Sequence, residues 1–188
     1  MDATNPSSTT PAITAESLWI SIYHLYTPYR RRMILFSAAM LALLTPFTDT
    51  VYLPALKNVE EDLHTDANMV ALTVSIYLAA VGIGQVIWGP LSDKYGRRGI
   101  LSAALVIYLA LTIACIFSVN ITMFLILRSF QGLIVGSTII VAQAIIADVF
   151  PSNERGEAMG TFMAPMLIGP VIAPLIGGIL SQVYNWRA

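Results

Sequence analysis

The stretch Gly89-Pro90-Leu91-Ser92-Asp93-Lys94-Tyr95-Gly96-Arg97-Arg98 is a short charged segment between two long apolar runs. Met69–Pro90 precedes it and Gly99–Val119 follows it. Gly89 permits close approach of a second backbone at the end of a helix. Gly96 permits a tight turn with positive φ. Asp93 and Arg97 are four residues apart and pair if the turn is helical. A loop of this kind can also do no more than hold positive charge on one side of a membrane.

The composition points to the same setting. The chain has 188 residues, 56% hydrophobic and 11% charged, with a net charge of −1, and its mean hydropathy is +0.72. Soluble domains carry about 25% charged residues, so there is too little polar surface to cover a globule. A near-neutral chain is no bulk-electrostatic binder of nucleic acid. The single cysteine, Cys115, excludes a disulfide framework and a Cys-based metal site. No metal-ligand cluster or nucleophile–base pair is visible, and His24 and His64 lie outside the apolar runs. No enzyme activity, cofactor or metal is expected.

All charged residues except Asp49 and Arg128 fall in short clusters. Between them run five apolar spans: 33–56, 69–90, 99–119, 121–147 and 158–183. Each reaches the ~20 residues that cross a bilayer as a helix. Spans 3 and 4 are separated only by Val119-Asn120 and form a tight antiparallel pair. The expected fold is an all-α membrane protein with five complete transmembrane helices and, at Trp186-Arg187-Ala188, the approach to a sixth. Residues 1–32 form a polar leader and 33–188 an incomplete transmembrane bundle.

Lys and Arg set the orientation. Arg30, Arg31, Arg32, Lys94, Arg97, Arg98 and Arg155 share one side, against Lys57 and Arg187 on the other. The leader is therefore expected in the cytoplasm, in a multi-pass protein of the plasma membrane. Residues 1–17 are rich in Ser, Thr and Pro and are expected to be disordered. Leu18–Tyr26 reads as a short interfacial helix.

Charges inside a membrane are costly and mark function. Asp49 and Arg128 each lie seven residues from the outer end of their span, roughly 10 Å below that face. They are placed to neutralise each other, directly or through water; the alternative is that Arg128 snorkels outward and Asp49 marks the water boundary. Arg128, Gln131 and Gly132 share a helix face, and Gly136 continues it. Asp148 points the opposite way from Arg128, and an Asp at a helix C-terminus needs a cation nearby. In span 2, Gly82, Gln85 and Gly89 share a face, and Gln85 either lines a cavity or bonds a neighbouring helix. Pro46 is expected to bend span 1, with Thr45 and Thr48 satisfying the freed backbone groups. In span 5, Gly169, Ala173 and Gly177 form a smooth groove, while Pro170 and Pro174 bend the helix.

The loop at Gly89–Arg98 resembles the signature loop of the major facilitator superfamily, G-x-L-[SA]-D-x-x-G-R-[RK]. That resemblance implies a cytoplasmic gate latch, with Asp93 facing a helix of the second half and Arg97 pairing with Asp148. Leu125-x-x-Arg128-x-x-Gln131-Gly132 is similar to the family's span 4 signature, whose Arg is linked to proton coupling. Asp49-Thr50-Val51-Tyr52-Leu53-Pro54 resembles the end of span 1 in drug:proton antiporters. The run Gly169-Pro170 to Ala173-Pro174 and Gly177-Gly178 is similar to the exporter motif of span 5, with Ala173 where the family prefers Gly. Asp148 to Gly156 resembles the family's D-x-x-P-x-x-x-R-G connection.

The resemblance implies the amino-terminal part of a twelve-span, fungal or bacterial multidrug-resistance type of antiporter. Its partners would be a small-molecule substrate, protons, the lipid bilayer and the remaining carboxy-terminal half, with no nucleic acid. The fragment alone is expected to be inactive. Two alternatives are a transporter of a sugar, polyamine or other metabolite, and a non-transporting truncated membrane protein that binds a partner.

Overall fold

The computed structural model describes residues 27–183. Among the described residues the regular structure is helical: α1 (Pro28–Val51), a 3-10 turn (Leu53–Ala55), α2 (Leu56–Asp62), α3 (Ala67–Tyr95), α4 (Arg97–Ile116), α5 (Ile121–Val149) and α6 (Arg155–Val183). α1, α3, α4, α5 and α6 carry spans 1 to 5, and five helices are long and apolar enough to cross a membrane. Leu18–Tyr26 and Trp186-Arg187 lie outside the described residues.

The helix ends differ from the expected spans for local reasons. α1 starts at Pro28, so Arg30–Arg32 belong to the helix and not to the leader. Pro28 occupies the first position, where its missing N–H costs nothing, and Thr27 Oγ1 accepts from Arg30 N at 3.4 Å. α3 continues through Pro90 to Tyr95, which reduces the expected loop to Gly96 at φ 92°. Gly96 closes α3 through its N–H to Ser92 O and opens α4. Asn120 Oδ1 accepts from Met123 N at 2.7 Å and starts α5.

α5 lies at the centre, with Val135, Val141, Ala142 and Ile146 wholly buried. α3 packs along it, α4 lies against it, and α1 packs along both α5 and α6. The α3–α5 contact is made by glycines that let backbone meet backbone. A Cβ at Gly84 would run into the Leu133 carbonyl, and one at Gly132 into the Tyr77 carbonyl. One at Gly136 would lie 2.6 Å from Val81 O. The closest contact of span 2 falls beside the face that Gly82, Gln85 and Gly89 share. Gly82 is exposed, and a Cβ there meets nothing within 4 Å. Gly84 makes the close contact, and Gly89 has only an ordinary one, at 3.8 Å from Ile140 Cγ1.

The small-residue groove of span 5 receives α1. A Cβ at Gly177 would strike the Val51 carbonyl, one at Gly169 would lie 3.2 Å from Leu43 Cδ1, and Ala173 is fully buried. α1 passes through Pro46, but the nearby hydroxyls take other partners than those expected. Thr45 Oγ1 lies 3.1 Å from Thr138 Oγ1 on α5. Thr48 Oγ1 donates to Leu44 O at 2.8 Å, two residues on from Ala42, whose carbonyl Pro46 leaves free.

The outer surface inverts that of a soluble protein. Val106 and Leu109 of α4 and Val171, Leu175 and Ile179 of α6 are each at least 60% exposed. Apolar surface on every outward helix, with backbone groups paired inside each helix, is what hydrocarbon requires. The chain is an integral membrane protein.

Candidate functional site

Two clusters emerge, one inside the bundle and one at its Arg97 end. The inner cluster is built where α1, α3 and α5 meet. Asp49 sits near the end of α1 and Tyr52 caps that helix. Thr73 and Tyr77 come from α3, and Arg128 from α5. Asp49, Tyr52, Thr73, Val74, Tyr77 and Arg128 line a cavity of about 10 Å³, about the size of a single water.

Asp49 and Arg128 share this cavity, as their equal depth implied, but they are not in direct contact. Among the described residues no ion pair within 4.0 Å joins them. The guanidinium lies instead over three rings: Tyr52 at 4.4 Å, Phe124 at 5.3 Å and Tyr77 at 5.6 Å. A planar, weakly hydrated cation stacks well on aromatic faces. This desolvated cage competes successfully with the carboxylate. At this cavity Asp49 Oδ1, Tyr77 Oη and Arg128 Nε are buried without a well-formed hydrogen bond, the carboxyl and the Tyr77 hydroxyl facing each other. Buried polar groups are nearly always paired. A cluster of exceptions around one small cavity marks a place suited to a polar guest.

Gln131 is 3% exposed and links Arg128 to α4. Arg128 Nη1 donates to Gln131 Oε1 at 3.4 Å, and Gln131 Nε2 donates to Thr112 Oγ1 at 2.7 Å. Cys115 Sγ lies 3.9 Å from the same Oε1, and Tyr108 Oη lies 2.9 Å from Thr48 Oγ1. Tyr108, Thr112 and Cys115 were missed in the sequence, although their spacing puts them on one face of α4. Tyr52 and Tyr77 were missed as well. Gln85 is half-buried on α3, beside Gly136, where its backbone N is 3.1 Å from a Cβ built there.

At the other end of the bundle Arg97 bridges two acids. Its Nε lies 3.0 Å from Asp148 Oδ2 and its Nη2 3.2 Å from Asp93 Oδ1. The bridge ties the end of α3 to the end of α5 across the Gly96 turn. Arg98 is exposed beside it. Arg155 Nη2 donates to Ala147 O at 2.7 Å and so caps the C-terminus of α5. Arg31 Nη1 lies 3.3 Å from Glu154 Oε2, which links α1 to the α5–α6 connection. Exposed ion pairs contribute only about 0–1 kcal/mol each, so this end is held by bonds that are easily exchanged. A groove of about 1120 Å³ opens here between α1, α4 and α5, with Asp93, Arg97 and Asp148 on its wall. The span 5 residues Gly169, Pro170, Ala173, Pro174, Gly177 and Gly178 stand apart from both clusters; Gly169 and Gly177 meet α1, Ala173 is buried, Gly178 meets Pro54, and Pro170 is exposed.

Comparison with known proteins places this geometry in a family. The profile of the Major Facilitator Superfamily matches residues 34–188. The MFS antiporter QDR3 of Candida albicans is 37% identical over 156 residues, 83% of this chain and 22% of its own length. Citrate exporter 1 of Aspergillus niger is 29% identical over 166 residues, 88% of this chain and 32% of its own length. Multidrug resistance protein D of Escherichia coli is 27% identical over 155 residues, 82% of this chain and 39% of its own length. The chain thus spans between about a fifth and two fifths of the length of these relatives. On this match, which runs through every helix described above, the chain belongs to the Major Facilitator Superfamily of membrane transporters.

Proposed function

We propose that the chain is the amino-terminal part of a longer, proton-coupled exporter of small lipophilic molecules. Two bundles would rock around a central site in alternating access. The 188 residues alone would not transport, because they span only part of the length of their relatives. The protein would lie in the plasma membrane with its N-terminus in the cytoplasm, as the Arg-rich end of the bundle favours.

One observation carries the reading. Asp49 presents a buried carboxylate oxygen to a cavity where the Tyr77 hydroxyl faces it beside a caged cation. An ionised carboxylate only accepts hydrogen bonds, whereas a protonated one also donates. Adding a proton at Asp49 therefore changes its pairing with its neighbours and biases one packing of the bundle over another. Arg128 would be its charge partner, and Gln131 and Gln85 would belong to the same polar interior. Arg97, Asp93 and Asp148 would form the gate latch on the cytoplasmic side. The names of two relatives, an antiporter and a multidrug resistance protein, favour drug export.

The test is proton-driven efflux of a lipophilic drug by the protein at its natural length. Asp49→Asn and Arg128→Ala should each abolish efflux while protein levels persist. Undiminished efflux removes both residues from the mechanism. The citrate exporter among the relatives favours a second reading, export of an anionic metabolite attracted to Arg128. Competition between citrate and the drug separates the two.

A further inference from the structure

The bond between Gln131 and Thr112 has a direction that its neighbours impose. A guanidinium carries only donors, so the group facing Arg128 Nη1 must accept. Gln131 therefore turns its carbonyl oxygen to Arg128, 3.4 Å away, and its amide NH2 to Thr112 Oγ1, 2.7 Å away. Thr112 has one hydroxyl proton, and it goes to the Tyr108 carbonyl at 2.9 Å. That leaves the Thr112 oxygen free to accept from the amide. The chain Arg128 to Gln131 to Thr112 to Tyr108 O starts at an obligate donor and ends at an obligate acceptor. It can be satisfied in one sense only.

The same rule fixes the other hydroxyl pairs of the bundle. Thr138, Thr48 and Thr73 each give their one proton to a backbone carbonyl, of Val135, Leu44 and Val70, so Thr45, Tyr108 and Tyr52 donate to them. The Gln131 chain differs in that it begins at a cation.

We propose that Thr112, on a helix that contributes no residue to the Asp49 cavity, is a positioning residue for Arg128. It pins the Gln131 amide so that the carbonyl oxygen, and not the NH2, faces the guanidinium. Without it the amide is free to turn, and the NH2 then meets the cation, donor against donor. Arg128 is thereby tethered to the α4 backbone while its plane rests on the Tyr52 and Phe124 rings. The functional part of this assignment rests on the reading of Arg128 as the charge partner of Asp49. The structural part does not.

The experiment is a double-mutant cycle in the protein at its natural length, with Thr112→Val, Gln131→Met and the double variant. Thr112→Val keeps the shape of the side chain and removes the hydroxyl. Gln131→Met keeps the length and removes the amide. Thr112→Ser keeps the hydroxyl and serves as the conservative rescue. In purified protein Thr112→Val should lower the melting temperature by about 2–4 °C, and it should have no further effect in Gln131→Met. Thr112→Ser should melt like the parent. In the efflux assay Thr112→Val should lose about fivefold in rate and shift the pH profile, with Thr112→Ser restoring both. Equal melting penalties in the two Gln131 backgrounds, or no rescue by Ser, would overturn the assignment and leave Thr112 a packing residue. If Asp49→Asn leaves efflux intact, the proton-coupling reading fails, and the melting cycle still decides the tether.

Discussion

Arg97 Nε lies 3.0 Å from Asp148 Oδ2, joining the first residue of α4 to the penultimate residue of α5. The same guanidinium reaches Asp93 at 3.2 Å, so one planar fork holds the ends of two helices. A lysine presents a single point charge in place of that fork. Arg97→Lys should therefore keep the fold and lose the bridge. We expect a stability loss of about 1 kcal/mol or less with efflux reduced at least about tenfold. Melting of the purified variant beside its efflux rate checks this. Full efflux in Arg97→Lys would remove the bridge from the gate.

The α3–α5 seam makes a sharper forecast. A methyl at Gly84 has no room beside the Leu133 carbonyl, and backbone cannot step aside as a flexible side chain would. Gly84→Ala should cost about 1–3 kcal/mol, read as a lower melting temperature. Gly82→Ala, two residues away and open to the outside, should be neutral or more stable by up to about 1 kcal/mol. Equal effects of the two substitutions would contradict the seam.

The rings around Arg128 can be tested separately from the carboxylate. Tyr52→Phe keeps the face 4.4 Å below the guanidinium and loses only the hydroxyl shared with Thr73 at 3.4 Å. Tyr52→Leu removes the face. The second should destabilise by about 2 kcal/mol relative to the first, again by melting. If both behave alike, the ring contributes only its hydroxyl.

These residues also show what was legible in the sequence. Asp49 and Arg128 stood out because each is a lone charge in a long apolar run, and burying a charge in hydrocarbon is too costly to be incidental. The Gly89–Arg98 segment was legible because charge and glycine both concentrate there. The facing of a helix was harder to read. Spacing put Gly82, Gln85 and Gly89 on one face, but which side of α3 meets α5 is set by the whole bundle, and the closest contact falls on Gly84. Of the two expected pairings of Asp49 with Arg128, direct or through water, the direct one is absent, because the Tyr52, Tyr77 and Phe124 rings cage the cation. Thr112 stayed hidden for a different reason. Hydroxyls in transmembrane helices commonly bond their own backbone, as Ser129 does to Leu125 O at 2.8 Å. Thr112 bonds its own backbone and accepts from Gln131 as well.

Proton coupling at Asp49 is the central claim, and substrate-induced proton release tests it most directly. The protein at its natural length is held in weakly buffered detergent solution with a pH indicator, and a lipophilic substrate is added. The account predicts release of protons from the parent protein and none from Asp49→Asn, with the variant still folded by its melting curve. Equal proton release from both proteins would contradict it.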